Sequence, residues 1–189
     1  MNYSIPATRN TPALIIYLLD ISGSMGERFE SGVKIDYVNR AIAGALQRMI
    51  QRSTRGELIS PRYRIAMAAY SDSVFDMMPG IEPIDQVASR GTPRLSPTNS
   101  TNTYAAFEWA RELLRRELPN LRGKPAPMVC HLTDGEYTTG TGDPEPLAAE
   151  IMQMGNDDGN VLLENIFVGP DLMKQQVAQL EKIVPQPGK

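Results

Sequence analysis

Residues 13–24 read ALIIYLLDISGS, and the fold class turns on this stretch. Ala13 to Leu19 is an unbroken apolar run. A strand with one wet face would alternate, whereas a continuous run suits a central strand covered on both sides, as in a parallel sheet between helices. The run stops at Asp20. A carboxylate at the end of a buried strand is costly unless it finds partners. Ser22 and Ser24 follow in a turn that Gly23 lets bend tightly, so their hydroxyls can point with Asp20 toward one spot. The result is an oxygen-lined cup suited to a hard divalent cation. Taken alone, the same residues also fit a plain polar turn in which Asp20 caps the loop.

Working outward, residues 21–34 are rich in Gly and Ser and read as a loop. Ile35, Val38, Ile42, Leu46 and Met49 then recur at helical spacing. Residues 63–70 (YRIAMAAY) predict the next strand, SDS at 71–73 a turn, and Val74 to Met77 an antiparallel return. A short helix is expected near Ile84 to Ala88, followed by a polar loop over 89–103 whose length suggests a functional segment. Tyr104, Phe107, Ala110, Leu114 and Leu118 mark one face of a helix over 104–118, with Glu112 and Arg116 as an expected i,i+4 pair, and Pro119 and Gly123 end it. Residues 127–132 (PMVCHL) form a second buried strand that stops at Thr133-Asp134-Gly135. A Gly/Thr loop covers 135–143, and Pro144 starts a helix to about Met154. A third buried strand is expected within 161–168, and a last helix from about Asp171 to Ile183.

This alternation defines an α/β class: three layers, α/β/α, doubly wound around a mostly parallel sheet with one antiparallel edge strand. Residues 1–12 read as an N-terminal extension, 13–185 as a single domain and 186–189 as a tail. Ligands of such sheets bind beyond the carboxyl ends of the strands, and two buried strands here end in an aspartate at that place.

Composition narrows the chemistry. The chain has 189 residues, a formal net charge of −3, one Cys and one His. That length suits one domain with a real core. A single Cys excludes an internal disulfide, and one Cys with one His excludes a Cys/His zinc site within the chain. A metal would be held by oxygens, which points to Mg²⁺, Mn²⁺ or Ca²⁺. The mild negative charge offers nothing to nucleic acid. The apolar run at 13–19 is far short of the about 20 residues of a membrane span, and the polar N-terminus has no secretory-signal pattern. A cytoplasmic protein is expected, with which the lone Cys130 agrees.

The motifs resemble those of the von Willebrand factor A domains, which include the integrin I domains. That family's metal-ion-dependent adhesion site uses Asp-x-Ser-x-Ser after the first strand, a Thr from a distant loop, and an Asp in a Thr-Asp-Gly turn. This chain has Asp20-x-Ser22-x-Ser24, then Thr101-Asn102-Thr103 opening a helix, then Leu132-Thr133-Asp134-Gly135, in the family's order over about residues 13–170. The resemblance implies that Ser22 and Ser24 coordinate a cation directly, and that Thr101 does so in a ligand-bound state. Asp20 and Asp134 would act through bound waters or switch into direct contact. Thr103 is the poorer candidate of its pair. Mg²⁺ is the expected ion, with Mn²⁺ and Ca²⁺ as alternatives. The ligands would be mostly neutral hydroxyls, so the ion would keep much of its charge and take a Glu or Asp carboxylate from a partner protein. Met25, Phe29 and Glu136 are expected at the rim facing that partner.

The wording Asp-Ile-Ser-Gly-Ser-Met is similar to intracellular bacterial members, which often work beside ATPases, kinases or phosphatases encoded nearby. A scaffold or adaptor role is implied. About 20 residues follow Gly169, so the family's last strand and helix are expected to be shortened or missing, and the integrin affinity switch is not carried over. Two other functions stand beside this one. The first is Mg²⁺-assisted phosphoryl transfer with Asp20 as nucleophile, although Ser22 stands where such enzymes want a second acid and no P-loop is present. The second is a structural subunit with an unused site. His131 and Cys130 are expected in the core, and Asp72 and Asp76 in solvent.

Overall fold

The computed structural model describes residues 3–98, 100–135 and 142–169. In chain order the elements are β1 (Ala13–Asp20), a 3-10 turn (Gly23–Gly26), β2 (Arg28–Phe29), β3 (Gly32–Val33), α1 (Lys34–Ser53), β4 (Thr54–Arg55) and β5 (Leu58–Ile59). Then come β6 (Tyr63–Tyr70), β7 (Val74–Asp76), β8 (Glu82–Pro83), α2 (Ile84–Arg90), α3 (Thr103–Glu117), a 3-10 turn (Leu118–Leu121), β9 (Met128–Thr133), α4 (Glu145–Gln153) and β10 (Leu162–Phe167).

The main sheet runs β10-β9-β1-β6-β7, with β8 also paired to β6. Strands β10, β9, β1 and β6 are parallel to their neighbours. Strands β7 and β8 run antiparallel to β6 on the edge away from β1. The chain leaves β1 for β6 on one side and later returns to place β9 on the other. The strand order therefore reverses at β1/β9, and the ligands of such sheets bind past the carboxyl ends at that place.

The unbroken apolar run of β1 divides by pleat. Ile15, Tyr17 and Leu19 meet a core that contains Ile35, Val38, Ile42 and Leu46 of α1 and Ile84 and Val87 of α2. Leu14, Ile16 and Leu18 meet a second core with Phe107, Ala110 and Leu114 of α3 and Leu147 and Ile151 of α4. The three-layer arrangement follows. Each of the four α1 side chains is at most 4% exposed, and such burial contributes about 1.5–3 kcal/mol apiece.

Several expectations change. The loop read over 21–34 contains the 3-10 turn and the small β2–β3 hairpin. Among the described residues β10 pairs with β9 alone, and Leu162 and Ile166 are 37% and 39% exposed, so the strand read as buried lies at the edge of the described sheet. Glu112 pairs with Arg115 at 2.8 Å and with Arg111 at 3.1 Å instead of Arg116, because those guanidiniums also reach Glu150 of α4. The N-terminal extension is tied down: Asp158 Oδ1 accepts from the Ser4 and Ile5 N–H groups, and Arg62 donates to the Ala7 carbonyl. The long segment 91–102 has no helix or strand among its described residues. The helix read over 171–183, the shortened end and the tail at 186–189 lie outside the described residues.

Candidate metal centre

Asp20 ends β1 fully buried, in register with Tyr70 of β6. Its Oδ1 accepts the Ser22 N–H at 2.8 Å, and its Oδ2 accepts the Thr133 hydroxyl at 2.7 Å. Burial pushes this carboxyl up; the hydrogen bonds from Ser22 and Thr133 oppose the rise, and the nearby Asp134 charge adds to it. The first bond closes the tight turn that starts the 3-10 segment. Met25, fully buried in that segment, anchors it to the core. The turn brings the Ser22 and Ser24 hydroxyl oxygens to 3.1 Å from each other.

Thr133 ends β9, and Asp134 follows with a side chain only 2% exposed. Gly135 adopts φ 88°, a conformation that favours glycine, and a Cβ there would press on the Phe167 ring at 3.2 Å. Thr101 is buried just before α3. Its neighbour Asn102 caps α3 through the Ala105 N–H and donates its own N–H to the Ser71 carbonyl beyond β6. The Thr98 N–H and hydroxyl both donate to the Ile21 carbonyl, which lashes the 91–102 loop to the serine turn. The residues read as ligands thus collect at the carboxyl end of the sheet: Asp20, Ser22 and Ser24 in one hydrogen-bonded turn, Asp134 one residue past the Thr133 clasp, and Thr101 on the loop bound to that turn. Thr103, also buried, opens α3.

Sequence reasoning missed Lys34. Its ammonium sits 3.1 Å from Asp134 Oδ2 and 2.8 Å from Glu27 Oε2, with the side chain only 10% exposed. Burial acts to lower its pKa, but the hydrogen bonds and charges of Glu27 and Asp134 outweigh it and hold the group above its ordinary value. The only signal in the chain was a lysine opening a helix, which usually marks a solvated end.

Two rim residues are corrected. Met25 and Phe29 are 0% and 5% exposed, and Phe29 stacks edge-on against Tyr37 at 5.0 Å. Both are apolar enough to be claimed by the core, so neither presents a surface to a partner. Glu136 lies outside the described residues. Asp72 and Asp76 are exposed and Cys130 is buried, as expected. His131 is a satisfied core histidine. Its Nδ1 donates to Asn165 Oδ1 at 2.8 Å, its Nε2 accepts from the Tyr70 hydroxyl at 2.6 Å, and Phe107 packs on its ring.

The donor set fits a hard cation. Two ligands at right angles around Mg²⁺ at about 2.1 Å lie about 3 Å apart, which matches the Ser22–Ser24 spacing of 3.1 Å. The remaining candidates are also oxygens, and among the described residues no group of three or more His, Cys, Asp or Glu converges as a softer or more acidic site. A cation would also offset the cost of the buried Asp20 carboxylate.

No family model matches the chain, and no curated protein matches it. Solved structures do. An aerotolerance-related membrane protein from Bacteroides fragilis aligns with a TM-score of 0.56 at 16% identity, over 84% of this chain and 69% of that one. The vWF domain of a type V pili tip protein from Porphyromonas gingivalis aligns at 0.52 and 16% identity, over 68% and 39%. Proximal thread matrix protein 1 from the mussel byssus aligns at 0.53 and 17% identity, over 85% and 37%. This chain therefore spans well under half of the latter two. Its fold is that of a von Willebrand factor A-type domain.

Proposed function

We propose that the chain is a metal-ion-dependent protein-binding module that captures an acidic residue of a partner through a bound divalent cation, without catalysis. The observation that carries this reading is the pair of Ser22 and Ser24 hydroxyls, 3.1 Å apart on a turn clasped by the buried Asp20 carboxylate at the reversal point of the sheet. Ser22, Ser24 and Thr101 would hold the ion, and Asp20 and Asp134 would act through waters or directly. Mg²⁺ is the first choice, with Mn²⁺ and Ca²⁺ as alternatives. When bound, the ion supplies a positive centre with room for one outside carboxylate. The chain's residues hold the hydroxyls in place, neutralise the buried charge and fix the ligand-bearing loops.

A cytoplasmic scaffold or adaptor role follows from the same reading, the partners being proteins such as an ATPase, kinase or phosphatase encoded nearby. Among the described residues no helix is long and apolar enough to cross a membrane. A pilus tip protein and a byssal thread protein are among the structural neighbours, and holding other proteins together is in keeping with those names. Phosphoryl transfer by Asp20 has less support, because both its oxygens are already engaged by Ser22 and Thr133 and the residue is fully buried.

The test is thermal unfolding of the chain in EDTA and in Mg²⁺, Mn²⁺ or Ca²⁺. At about a hundred times the dissociation constant the ion adds about 2.7 kcal/mol, which should raise Tm by about 5–10 °C. Ser22→Ala and Ser24→Ala should abolish the rise while melting normally in EDTA. A partner recovered in Mg²⁺ should be lost in EDTA. An unchanged wild-type Tm with all three ions overturns the site, and capture that survives EDTA overturns the bridge.

A further inference from the structure

We propose that Lys34 is a tethered cation that competes with the divalent ion for Asp134 and thereby sets the site's metal affinity; this rests on the reading of the site as a metal centre. The geometry is specific. Lys34 opens α1, its N–H donates to the Glu27 carbonyl, and Ile35 and Val38 just after it are buried in the core. The backbone is therefore fixed and only the side chain can swing. Its ammonium bridges two carboxylates of different character: Asp134, with a side chain 2% exposed beside the site, and Glu27, 61% exposed at the surface.

In this arrangement Asp134 already has a positive partner. The ammonium thus neutralises one of the two site carboxylates without metal. A divalent ion drawing on Asp134 must weaken the ammonium contact or tolerate a like charge at close range in a partly dry site, and both reduce affinity. Glu27 provides the ammonium with a second place: the side chain can release Asp134 and keep its 2.8 Å contact at the surface. Lys34 is a positioning residue in this scheme and never touches the partner's carboxylate. The consequence is a site that stays empty at low metal and fills only when the ion is abundant or a partner carboxylate adds its own charge.

The experiment is Mn²⁺ titration of the full chain, with free Mn²⁺ read by electron paramagnetic resonance, and Mg²⁺ titration by calorimetry. Lys34→Gln and Lys34→Met should bind Mn²⁺ on the order of tenfold more tightly than wild type. Lys34→Arg, which keeps the charge, should stay near wild type. Unfolding gives a second readout: Lys34→Met in EDTA should melt below wild type and recover more on adding Mn²⁺, and a variant that folds only with Mn²⁺ is the extreme form of the same result. Unchanged or weaker Mn²⁺ binding by folded Lys34→Gln and Lys34→Met overturns the competition, as does an equal gain in Lys34→Arg. Ser22→Ala separates the two levels. If it abolishes wild-type binding while the lysine variants change nothing, only the competition fails. If no variant shows binding that Ser22→Ala removes, the metal centre itself fails.

Discussion

His131 is held neutral between the Tyr70 hydroxyl and Asn165, and burial pushes its pKa down to about 4. In the unfolded chain the same imidazole titrates near about 6.5. Between those values the unfolded state binds a proton that the folded state refuses, so stability is full above about pH 6.5 and falls as pH drops toward about 4. The whole loss is on the order of 3 kcal/mol. His131→Gln should therefore show a shallower decline than wild type in urea unfolding from about pH 7 to about pH 4.5, and parallel declines would refute this account. At this scale the sequence was readable where a residue contradicts its surroundings. Asp20 and Asp134 each end an apolar strand, and a carboxylate there needs a reason. Lys34 was not readable, because its partner lies a hundred positions away and nothing local distinguishes it from a solvated helix-end lysine. Met25 and Phe29 misled in the opposite sense. A methionine and a phenylalanine in a polar loop read as rim, yet the loop folds inward to bury them.

The elements were legible in proportion to how much of their reason is local. Helices α1 and α3 carry their apolar stripes in their own spacing, and β1 carries its burial in an unbroken run. Strands β2 and β3 are two residues each and exist because Arg28 pairs with Val33 and Phe29 with Gly32, which no periodicity reveals. Strand β10 has apolar residues but pairs with β9 alone among the described strands, and the neighbours of a strand are a property of the sheet. The 91–102 loop was readable as a long polar segment but not as an anchored one. Asn39 of α1 donates to the Leu95 carbonyl at 3.0 Å and accepts the Leu95 N–H at 2.9 Å, a reciprocal pair that fastens the loop to the helix. Since Thr101 rides on this loop, Asn39→Ala should speed hydrogen exchange at the Leu95 amide and weaken Mn²⁺ binding several-fold, with α1 itself intact by circular dichroism. Unchanged exchange at Leu95 would mean that other contacts hold the loop.

Across the described residues, the main sheet with a core on each face explains where the site lies, and Asp158 explains how residues 4 and 5 are secured. The N-terminal extension read over 1–12 is joined through Ser4 and Ile5 to Asp158. Asp158 accepts from the Ser4 and Ile5 N–H groups with Oδ1, and from Ala126 N–H with Oδ2, so one side chain staples the N-terminus to the loop before β9 and the approach to β10. Asp158→Ala should remove exchange protection at Ser4 and Ile5 while leaving Mn²⁺ affinity at its wild-type value, because the staple sits away from the strand ends that carry the ligands. Loss of Mn²⁺ binding in that variant would show that the two ends of the sheet are coupled. The class could be argued from alternation alone; the strand order is a property of the sheet, and the staple joins residues more than 150 positions apart. The bonds that fix the cup are different in kind. The Ile21 carbonyl holds Thr98, the Ser71 carbonyl holds Asn102, and the Tyr70 carbonyl holds the Ile21 N–H, all through main-chain acceptors. To these the Asp20 carboxylate adds its clasp on the Ser22 N–H and the Thr133 hydroxyl, and Asn39 its hold on the loop. For an engineer, positions 22 and 24 are fittings on that mount, and the ion preference of the cup can be rewritten there while the Asp20 clasp and the main-chain bonds are kept.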